Sequence, residues 1–281
     1  MPGTGTSQQA NPLDQPGTMS EPTGTRPTPS ADLPASSRPH TVDRLCLFLD
    51  IDGTLLQLAE TPDSVDIDPF LGMALTETAA ILGGALALIT GRSIRDVDVL
   101  FPGIMLPIAG QHGCERRSCD GAMNLHAADA KTLDRLRDLF SNFAARHPGI
   151  LVEHKGASLA LHYRQVPELA SHVHRSVRDA MEDVEGSWTV EGGKRLVEIR
   201  PGGRNKGRAI ADFMGERPFA GRRPVFVGDD RGDEHGFRVV DKARGIAVKV
   251  GNGPTSARYR LPDVDAVRAW IAALVPGPAT S

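Results

Sequence analysis

Short, fully apolar segments recur along the chain, and helical patterns separate them. Residues 45–49, 85–89 and 105–109 are each long enough for one buried strand, residues 224–227 repeat the pattern near the C-terminus, and residues 246–250 predict a final strand. A strand that is apolar on both faces is typical of a parallel sheet covered by helices on both sides. The outer parts of the chain therefore predict an α/β fold built on a doubly wound parallel sheet.

Helix-start and helix-stop signals support this alternation of strands and helices. Pro69 stands where the first turn of a helix favours proline, and a pair of glycines at 83–84 ends that helix. Ser93 is suited to cap the next helix at its N-terminus. The predicted helices of this part of the chain cover residues 69–82, 94–100, 205–214, 231–240 and 263–274.

The middle of the chain follows a different pattern. Residues 127–146 predict a long amphipathic helix, and residues 167–181 predict a second one. The remaining apolar segments are joined by short turns, which indicates antiparallel pairing and an inserted α+β module. The predicted hairpins pair residues 150–153 with 158–163 and residues 187–190 with 195–199.

These patterns divide the chain into a tail, a split core domain and a cap domain. Eight of the 21 prolines precede residue 41, among many Gly, Ser and Thr residues, so residues 1–42 are expected to be disordered. The core domain is assigned to residues 43–113 and 200–281. The inserted α+β cap domain is assigned to residues 114–199.

Composition narrows the classes of partner. The net charge of -3 gives no sign of a nucleic-acid footprint. No apolar run approaches the ~20 residues of a membrane span, and no basic and apolar N-terminal signal is visible. Three cysteines form an odd, low count that favours reduced thiols. We therefore expect a cytoplasmic protein that binds neither nucleic acid nor membranes.

Reactive residues follow several of the predicted core strands or crossovers. In open parallel sheets, ligands bind at the carboxyl ends of the strands, so residues far apart in sequence can meet in one crevice. Two carboxylates two positions apart in extended chain point the same way, and their repulsion calls for a cation or a shared proton. A solvated turn explains a lone Asp-x-Asp equally well. The residues at these positions are Asp50 and Asp52, Thr90, Lys206, and Asp229 with Asp230.

The segment LFLDIDGTLL at 47–56 resembles the first motif of the haloacid dehalogenase superfamily of phosphotransferases. The order of the later polar segments resembles the other three motifs. This resemblance implies a haloacid-dehalogenase-like core with a nucleophile at Asp50 and an acid/base residue at Asp52. It also implies a phosphate-binding hydroxyl at Thr90, a motif lysine at Lys206 and a metal-binding carboxylate at Asp229.

The same resemblance implies Mg²⁺ as the cofactor. The expected ligands are Asp50, Asp229 and Asp230, with the main-chain carbonyl of Asp52. The run GDDRGDE leaves the details open, because Asp230 and Asp233 could ligate the metal, position a metal-bound water or orient the motif lysine.

Within the superfamily the chain is similar to the trehalose-6-phosphate phosphatase family. The family usually has Thr where this chain has Gly232, which removes a hydroxyl beside the expected metal site. The residues that carry the similarity are GQHGCE at 110–115, EHKG at 153–156, HYR at 162–164, EIRP at 198–201, NKG at 205–207 and GDDRGDE at 228–234.

The family resemblance implies hydrolysis of trehalose 6-phosphate through an aspartyl-phosphate, and a functional link to a trehalose-6-phosphate synthase. Other readings are a phosphatase for sucrose phosphate or another sugar phosphate, a phosphomutase, or a non-catalytic regulatory module that binds a sugar phosphate. Judged by spacing alone, Glu153, Lys155 and Glu198 in the cap would be ordinary exposed charges. The expected substrate-binding residues beyond Asp50 and Asp52 are Gly91, Arg92, His112, Glu115, Glu153, Lys155, Glu198 and Asn205.

Overall fold

The computed structural model describes residues 44–58, 69–126, 129–193 and 195–275. The expected disordered tail lies outside these residues. The described chain forms two sheets with helices packed against them. None of the helices in the described ranges is both long and apolar enough to cross a membrane.

The larger sheet has eight strands. In space they follow the order β12-β11-β10-β1-β2-β3-β4-β5, and the pairs from β12 to β3 are parallel. The last two strands pair antiparallel at one edge. The strands are β1 (Leu45–Leu49), β2 (Leu86–Ile89), β3 (Ile108–Gly110), β4 (Glu115–Arg117), β5 (Met123–Leu125), β10 (Arg223–Gly228), β11 (Ile246–Val250) and β12 (Tyr259–Leu261).

This arrangement confirms the predicted doubly wound parallel sheet, with differences at its edges. Strands β4, β5 and β12 were not predicted, because their charged or exposed sequences lack the pattern of a buried strand. Strand β3 is shorter than the predicted 105–109, and Pro107 cannot donate a ladder hydrogen bond. Residues 115–125, assigned by sequence to the cap domain, pair with the larger sheet, and the exact domain division stays a prediction.

The smaller sheet is antiparallel, with the order β6-β7-β9-β8. One face packs against two helices through Leu136, Phe140, Leu161 and Val197. We refer to these four strands and two helices together as the inserted module. They are α3 (Ala130–Ala145), β6 (Leu151–His154), β7 (Leu159–His162), α4 (Ala170–Glu182), β8 (Trp188–Gly193) and β9 (Leu196–Pro201).

Five helices cover the larger sheet, and polar side chains cap several of them. Ser93 and Asp96 form a reciprocal capping box at the start of one helix. Asn205 and Asp263 cap two others. The helices are α1 (Pro69–Ile81), α2 (Ile94–Leu100), α5 (Lys206–Met214), α6 (Glu234–Lys242) and α7 (Val264–Leu274).

The central strand β1 is buried along its whole length. The ring of Phe48 stacks on Phe219 with centroids 5.4 Å apart and lies 6.2 Å from Phe213. Aromatic pairs of this kind add to the energy of area burial. The strand is therefore held firmly, and the acidic residues that follow it are presented from a rigid base.

Helix α6 lies very close to strand β10, and this contact yields a stability prediction. A Cβ added at Gly236 would stand 2.3 Å from Cε1 of Phe226. Helix propensity alone favours Ala over Gly by about 1 kcal/mol, but overpacking a core costs about 1–3 kcal/mol. We expect Gly236→Ala to lower the free energy of unfolding measured in urea.

Gly215 provides the matched control. Its added Cβ would meet its nearest atom at 3.4 Å, an ordinary contact, and its φ of -81° suits any residue. Gly215→Ala should change the free energy of unfolding by less than about 0.5 kcal/mol. A stabilised Gly236→Ala protein would contradict the close packing of α6 on β10.

Candidate active site

The turn after β1 brings two distant carboxylates together. Asp50 follows the strand and is buried, and Gly53 continues the turn with a φ of +76°. A Cβ on Gly53 would lie 2.2 Å from Oδ2 of Asp229, which follows β10. Glycine is required here both for the left-handed backbone and for the close approach of the second carboxylate.

Lys206 lies among the carboxylates of Asp50, Asp230 and Asp233. Asn205 caps α5, so Lys206 is the first residue of that helix, and its side chain is only 2% exposed. Its Nζ lies 2.9 Å from Oδ1 of Asp50, 2.7 Å from Oδ1 of Asp233 and 3.7 Å from Oδ1 of Asp230. Burial alone would lower the pKa of Lys206, but these carboxylates outweigh it and hold the pKa well above its usual value.

Asp230 and Asp233, whose roles the sequence left open, differ in their surroundings. Asp233 is fully buried and accepts the hydrogen bond from Lys206. Asp233 also accepts the backbone N–H of Asp230 at 2.8 Å, and Asp230 accepts the backbone N–H of Asp233 at 3.0 Å. Asp233 is therefore in direct contact with Lys206, and the carboxylate of Asp230 is the more accessible of the two.

The acidic cluster has the chemistry of a divalent-cation site. One carboxylate oxygen each from Asp50, Asp229 and Asp233 can lie within 4.8 Å of the others. Oδ1 of Asp229 is buried and has no hydrogen-bond partner in the described part of the chain. A buried carboxylate oxygen without a partner is costly, and hard cations such as Mg²⁺ prefer oxygen ligands. The residues present therefore fit such a cation.

Charge repulsion supports the same conclusion. Burial raises the pKa of Asp50, and Lys206 opposes this only in part because Asp230 and Asp229 add repulsion. Burial, followed by the charges of Asp233 and Asp230, also raises the pKa of Asp229. A cation in this space would relieve the repulsion. The assignment of Asp52 and Asp230 as metal ligands remains a prediction.

The segment after β2 lies beside the acidic turn. Oγ1 of the buried Thr90 accepts the backbone N–H of Arg92 at 3.1 Å. The Arg92 guanidinium donates two hydrogen bonds to Asp52, at 2.7 and 2.6 Å. A Cβ on Gly91 would lie 2.9 Å from Nε2 of His112. The Thr90 hydroxyl, the Arg92 guanidinium and the backbone of Gly91, which has no side chain, thus line one side of the site. These hydrogen-bonding groups suit an anionic ligand.

The inserted module places Glu198 against the core at His112. Oε2 of Glu198 lies 3.4 Å from Nε2 of His112, and Ser158 donates a 3.0 Å hydrogen bond to Oε1. Burial favours the neutral form of Glu198, yet His112, Lys155 and Ser158 together bring its pKa down to about 2. Glu198 therefore presents a carboxylate at the junction of the module and the core.

Glu153 and Lys155 lie near Glu198 on the same side of the smaller sheet. Glu153 on β6 and Glu198 on β9 are both paired with Ala160 on the intervening strand β7, so only a small side chain lies between the two acids. Oε2 of Glu153 lies 2.8 Å from Nε2 of His162 and 3.7 Å from Nζ of Lys155. These side chains place hydrogen-bond acceptors and donors side by side on one face of the smaller sheet.

Two of the expected substrate-binding residues instead have partners within the protein. Oε2 of Glu115 accepts the backbone N–H of Ile94 at 2.9 Å, and Oε1 accepts from the Gln111 amide. The side chain of Asn205 accepts the backbone N–H of Arg208 at 2.9 Å. Spacing in the sequence cannot show such partners. The assignment of Glu115 and Asn205 as substrate contacts remains a prediction.

Sequence reasoning missed two buried polar residues of the site. Lys249 is buried in β11 and donates to the backbone carbonyls of Asp229 and Val250. A lysine inside the apolar run IAVKV was a signal that could have identified it. Gln111 contacts both the core and the inserted module; its place in the run GQHGCE, which carries the family similarity, was a signal that could have identified it.

The fold and the convergent strand ends define a haloacid-dehalogenase-like phosphohydrolase. The family model described as trehalose-phosphatase matches residues 48–265. The chain belongs to this family, and it is a phosphoric monoester hydrolase.

Individual relatives agree with the family assignment. The chain is 44% identical over 235 residues to a probable trehalose-phosphate phosphatase of Sinorhizobium fredii, covering 83% of this chain and 88% of that protein. It is 39% identical over 239 residues to the trehalose-6-phosphate phosphatase of Escherichia coli, covering 85% and 89%. A bifunctional trehalose-6-phosphate synthase/phosphatase of Thermoproteus tenax is 31% identical over 240 residues, covering 83% and 32%.

Solved structures share the fold. The C-terminal domain of Candida albicans trehalose-6-phosphate phosphatase matches with a TM-score of 0.72 at 20% identity, covering 86% of this chain and 97% of that one.

The raised carboxyl pKa values yield a prediction for Mg²⁺. Without the cation, the folded chain holds protons on Asp50 and Asp229 that the unfolded chain releases at lower pH. These groups therefore contribute stability that declines as the pH rises above about 4. Mg²⁺ competes with these protons, so its stabilisation should be larger at about pH 8 than at about pH 5.5.

Thermal unfolding with and without Mg²⁺ measures this effect. A concentration ten times the dissociation constant adds about 1.4 kcal/mol of stability. Asp229→Asn should remove most of the increase, whereas Asp265→Asn on α7 should leave it intact. Equal Mg²⁺ stabilisation at both pH values would contradict the proton competition.

Proposed function

We propose that this protein hydrolyses trehalose 6-phosphate to trehalose and inorganic phosphate. The single observation that carries the proposal is the contact of Glu198, in the inserted module, with His112, which lies against Gly91 in the segment after β2. The substrates named for the relatives from Sinorhizobium fredii and Escherichia coli support it. The reaction would therefore take place at the core, and the sugar would be recognised by the inserted module.

Asp50 is the proposed nucleophile. Its carboxylate attacks phosphorus, the bond from phosphorus to the sugar oxygen breaks, and an aspartyl-phosphate forms. Lys206, 2.9 Å from Oδ1, offsets the repulsion between this carboxylate and the anionic substrate. Water then attacks the aspartyl-phosphate and releases phosphate, which regenerates Asp50.

Mg²⁺ is the proposed cofactor, held by Asp50 and Asp229 with Asp233 close by. When bound, it supplies positive charge that neutralises the phosphoryl oxygens. Lys249 fixes the backbone carbonyl of Asp229 and so keeps that carboxylate at the site.

Asp52 is the proposed general acid and base. It protonates the departing sugar oxygen and later accepts a proton from the attacking water. In the structure its carboxylate is bound by Arg92 through two hydrogen bonds. A guanidinium binds phosphate in the same bidentate manner, so the substrate phosphate can take over these donors and leave Asp52 beside the sugar oxygen.

The inserted module is proposed to bind the disaccharide. Trehalose presents hydroxyl groups without charge, and these bind well to fixed carboxylates and ammonium groups. Glu153, Lys155 and Glu198 form such a set on one face of the smaller sheet. His162 holds Glu153 in place and is a positioning residue for it.

Two further proposals concern the cellular setting. The three cysteines are free, which supports a reducing compartment such as the cytoplasm. The combined synthase and phosphatase named in the Thermoproteus tenax relative supports a functional link between this protein and a trehalose-6-phosphate synthase.

A panel of sugar phosphates tests the proposed function. With Mg²⁺ present, we expect phosphate release from trehalose 6-phosphate to exceed that from sucrose, glucose and other sugar phosphates by at least about tenfold in kcat/KM. Asp50→Asn should abolish release while the protein stays folded, because an amide is a poor nucleophile. The exposed Asp134→Asn on α3 is the matched control and should keep full activity.

Preference for another sugar phosphate would replace the proposed substrate and leave the chemistry intact. Binding of trehalose 6-phosphate without hydrolysis would instead favour the regulatory module. Substantial turnover by folded Asp50→Asn protein would remove Asp50 from the nucleophile role.

A further inference from the structure

Gln111 lies at the junction between the core and the inserted module. It follows β3 directly, and its side chain is fully buried. Its Oε1 accepts the backbone N–H of Ala157 in the inserted module at 3.1 Å, and its Nε2 donates to Oε1 of Glu115 in the core. The proposed chemistry assigns no role to this residue.

The orientation of the Gln111 amide is determined by its partners. The Ala157 N–H is a donor and requires an oxygen, whereas the Glu115 carboxylate is an acceptor and requires the NH₂ group. Glu115 in turn accepts the backbone N–H of Ile94, the first residue of α2. The amide therefore makes one specific link between the two parts of the chain.

The turn at 155–158 rests directly on this link. Gly156 has a φ of +84°, and a Cβ there would lie 3.3 Å from Nε2 of Gln111 and 3.5 Å from Oε1 of Glu115. Lys155 precedes this glycine, and Ser158 donates its hydroxyl to Glu198 at 3.0 Å. The position of the turn consequently sets the positions of both Lys155 and Glu198.

The backbone at Gln111 is also hydrogen-bonded to residues 90–92 after β2, which we call the phosphate-binding segment because the proposed function places the phosphate there. Its N–H donates to the carbonyl of Arg92 at 2.8 Å, and the N–H of His112 donates to the carbonyl of Thr90 at 2.9 Å. Gln111 and His112 have φ values of 46° and 56°, which are costly for residues other than glycine. Such backbone persists only where surrounding contacts enforce it, and here the contacts come from both parts of the chain.

We propose that Gln111 is a positioning residue that fixes the sugar-recognising face of the inserted module relative to the phosphate-binding segment. The proposal rests on the proposed function, because it assumes that Lys155 and Glu198 bind the sugar. Gln111 itself does not contact the substrate. Its effect is to hold the sugar and the phosphate of one substrate molecule in register.

Gln111→Met tests the link, since methionine keeps a similar length and volume but makes neither hydrogen bond. We expect kcat/KM for trehalose 6-phosphate to fall about tenfold, a loss typical of one or two buried hydrogen bonds. For p-nitrophenyl phosphate, which has no sugar to hold in register, the fall should be less than about threefold. Gln165→Met, at an exposed position after β7, serves as the control and should match the wild type.

A reciprocal exchange provides the rescue. Gln111→Glu alone places two carboxylates against each other and should lose selectivity as Gln111→Met does. In the double variant Gln111→Glu/Glu115→Gln, the new carboxylate accepts from Ala157 and from the amide at 115, whose oxygen still accepts from Ile94. Every hydrogen bond is restored with one donor direction reversed, so the ratio of the two kcat/KM values should return to within about threefold of wild type.

Hydrogen exchange at the Ala157 amide gives a readout independent of turnover. Its protection should fall in Gln111→Met and return in the double variant. Wild-type inactivity on trehalose 6-phosphate would refute the proposed function, whereas the exchange measurement would still decide the structural link.

Three outcomes would overturn the positioning role: no loss with either substrate, equal losses with both, or an unchanged Ala157 exchange rate. If Gln111→Met does not fold, the single and double glutamate variants decide by the same ratio. Failure of the double variant to restore selectivity would also overturn it.

Discussion

The buried ammonium of Lys206 is the interaction on which the active site depends. It lies within 3 Å of Asp50 and Asp233 and also close to Asp230, so one cation faces carboxylates from two separate strand ends. Burying carboxylates this close together without a cation would force them to take up protons. Lys206 allows Asp50 to stay beside Asp233 in the interior, and the remaining negative charge suits a divalent cation.

The rest of the fold supplies rigid positions for this charge arrangement. Strand β1 is held by aromatic packing, and glycines at 53, 207 and 228 allow backbone and carboxylates to approach closely. A Cβ at Gly207 would lie 2.4 Å from the carbonyl oxygen of His235, which shows how tightly α5 is set against α6. The reactive groups are thus fixed by the parallel sheet, as expected for ligands at the carboxyl ends of strands.

The inserted module adds charged side chains beside the core, where Glu198 contacts His112. Its apolar face is covered by α3 and α4, which leaves a polar face with Glu153, Lys155 and Glu198. In the proposed function the core would act on the phosphate ester, and the module would recognise the hydroxyl groups of the sugar. The segment from 110 to 115 joins the two, because it contacts Thr90 and Arg92 on one side and Ala157 on the other.

The sequence predicted those parts of the structure in which local pattern determines burial. Continuous apolar runs predicted the central strands, and the acids after β1 and β10 predicted the convergence of Asp50 with Asp229. The edge strands β4, β5 and β12 could not be predicted, because exposed strands show no core pattern. Partners such as Ile94 for Glu115, or Ala157 for Gln111, depend on three-dimensional contacts that spacing does not encode.

The free energy of unfolding of Lys206→Met, measured without divalent cations at about pH 8, tests the central role of this lysine most directly. Methionine has a similar length but no charge, so the carboxylates of Asp50 and Asp233 lose their partner. We expect a loss of about 3–5 kcal/mol relative to wild type, whereas Lys131→Met on the exposed surface of α3 should cost less than about 0.5 kcal/mol. An unchanged or increased stability of Lys206→Met would contradict the dependence of the site on this ammonium group.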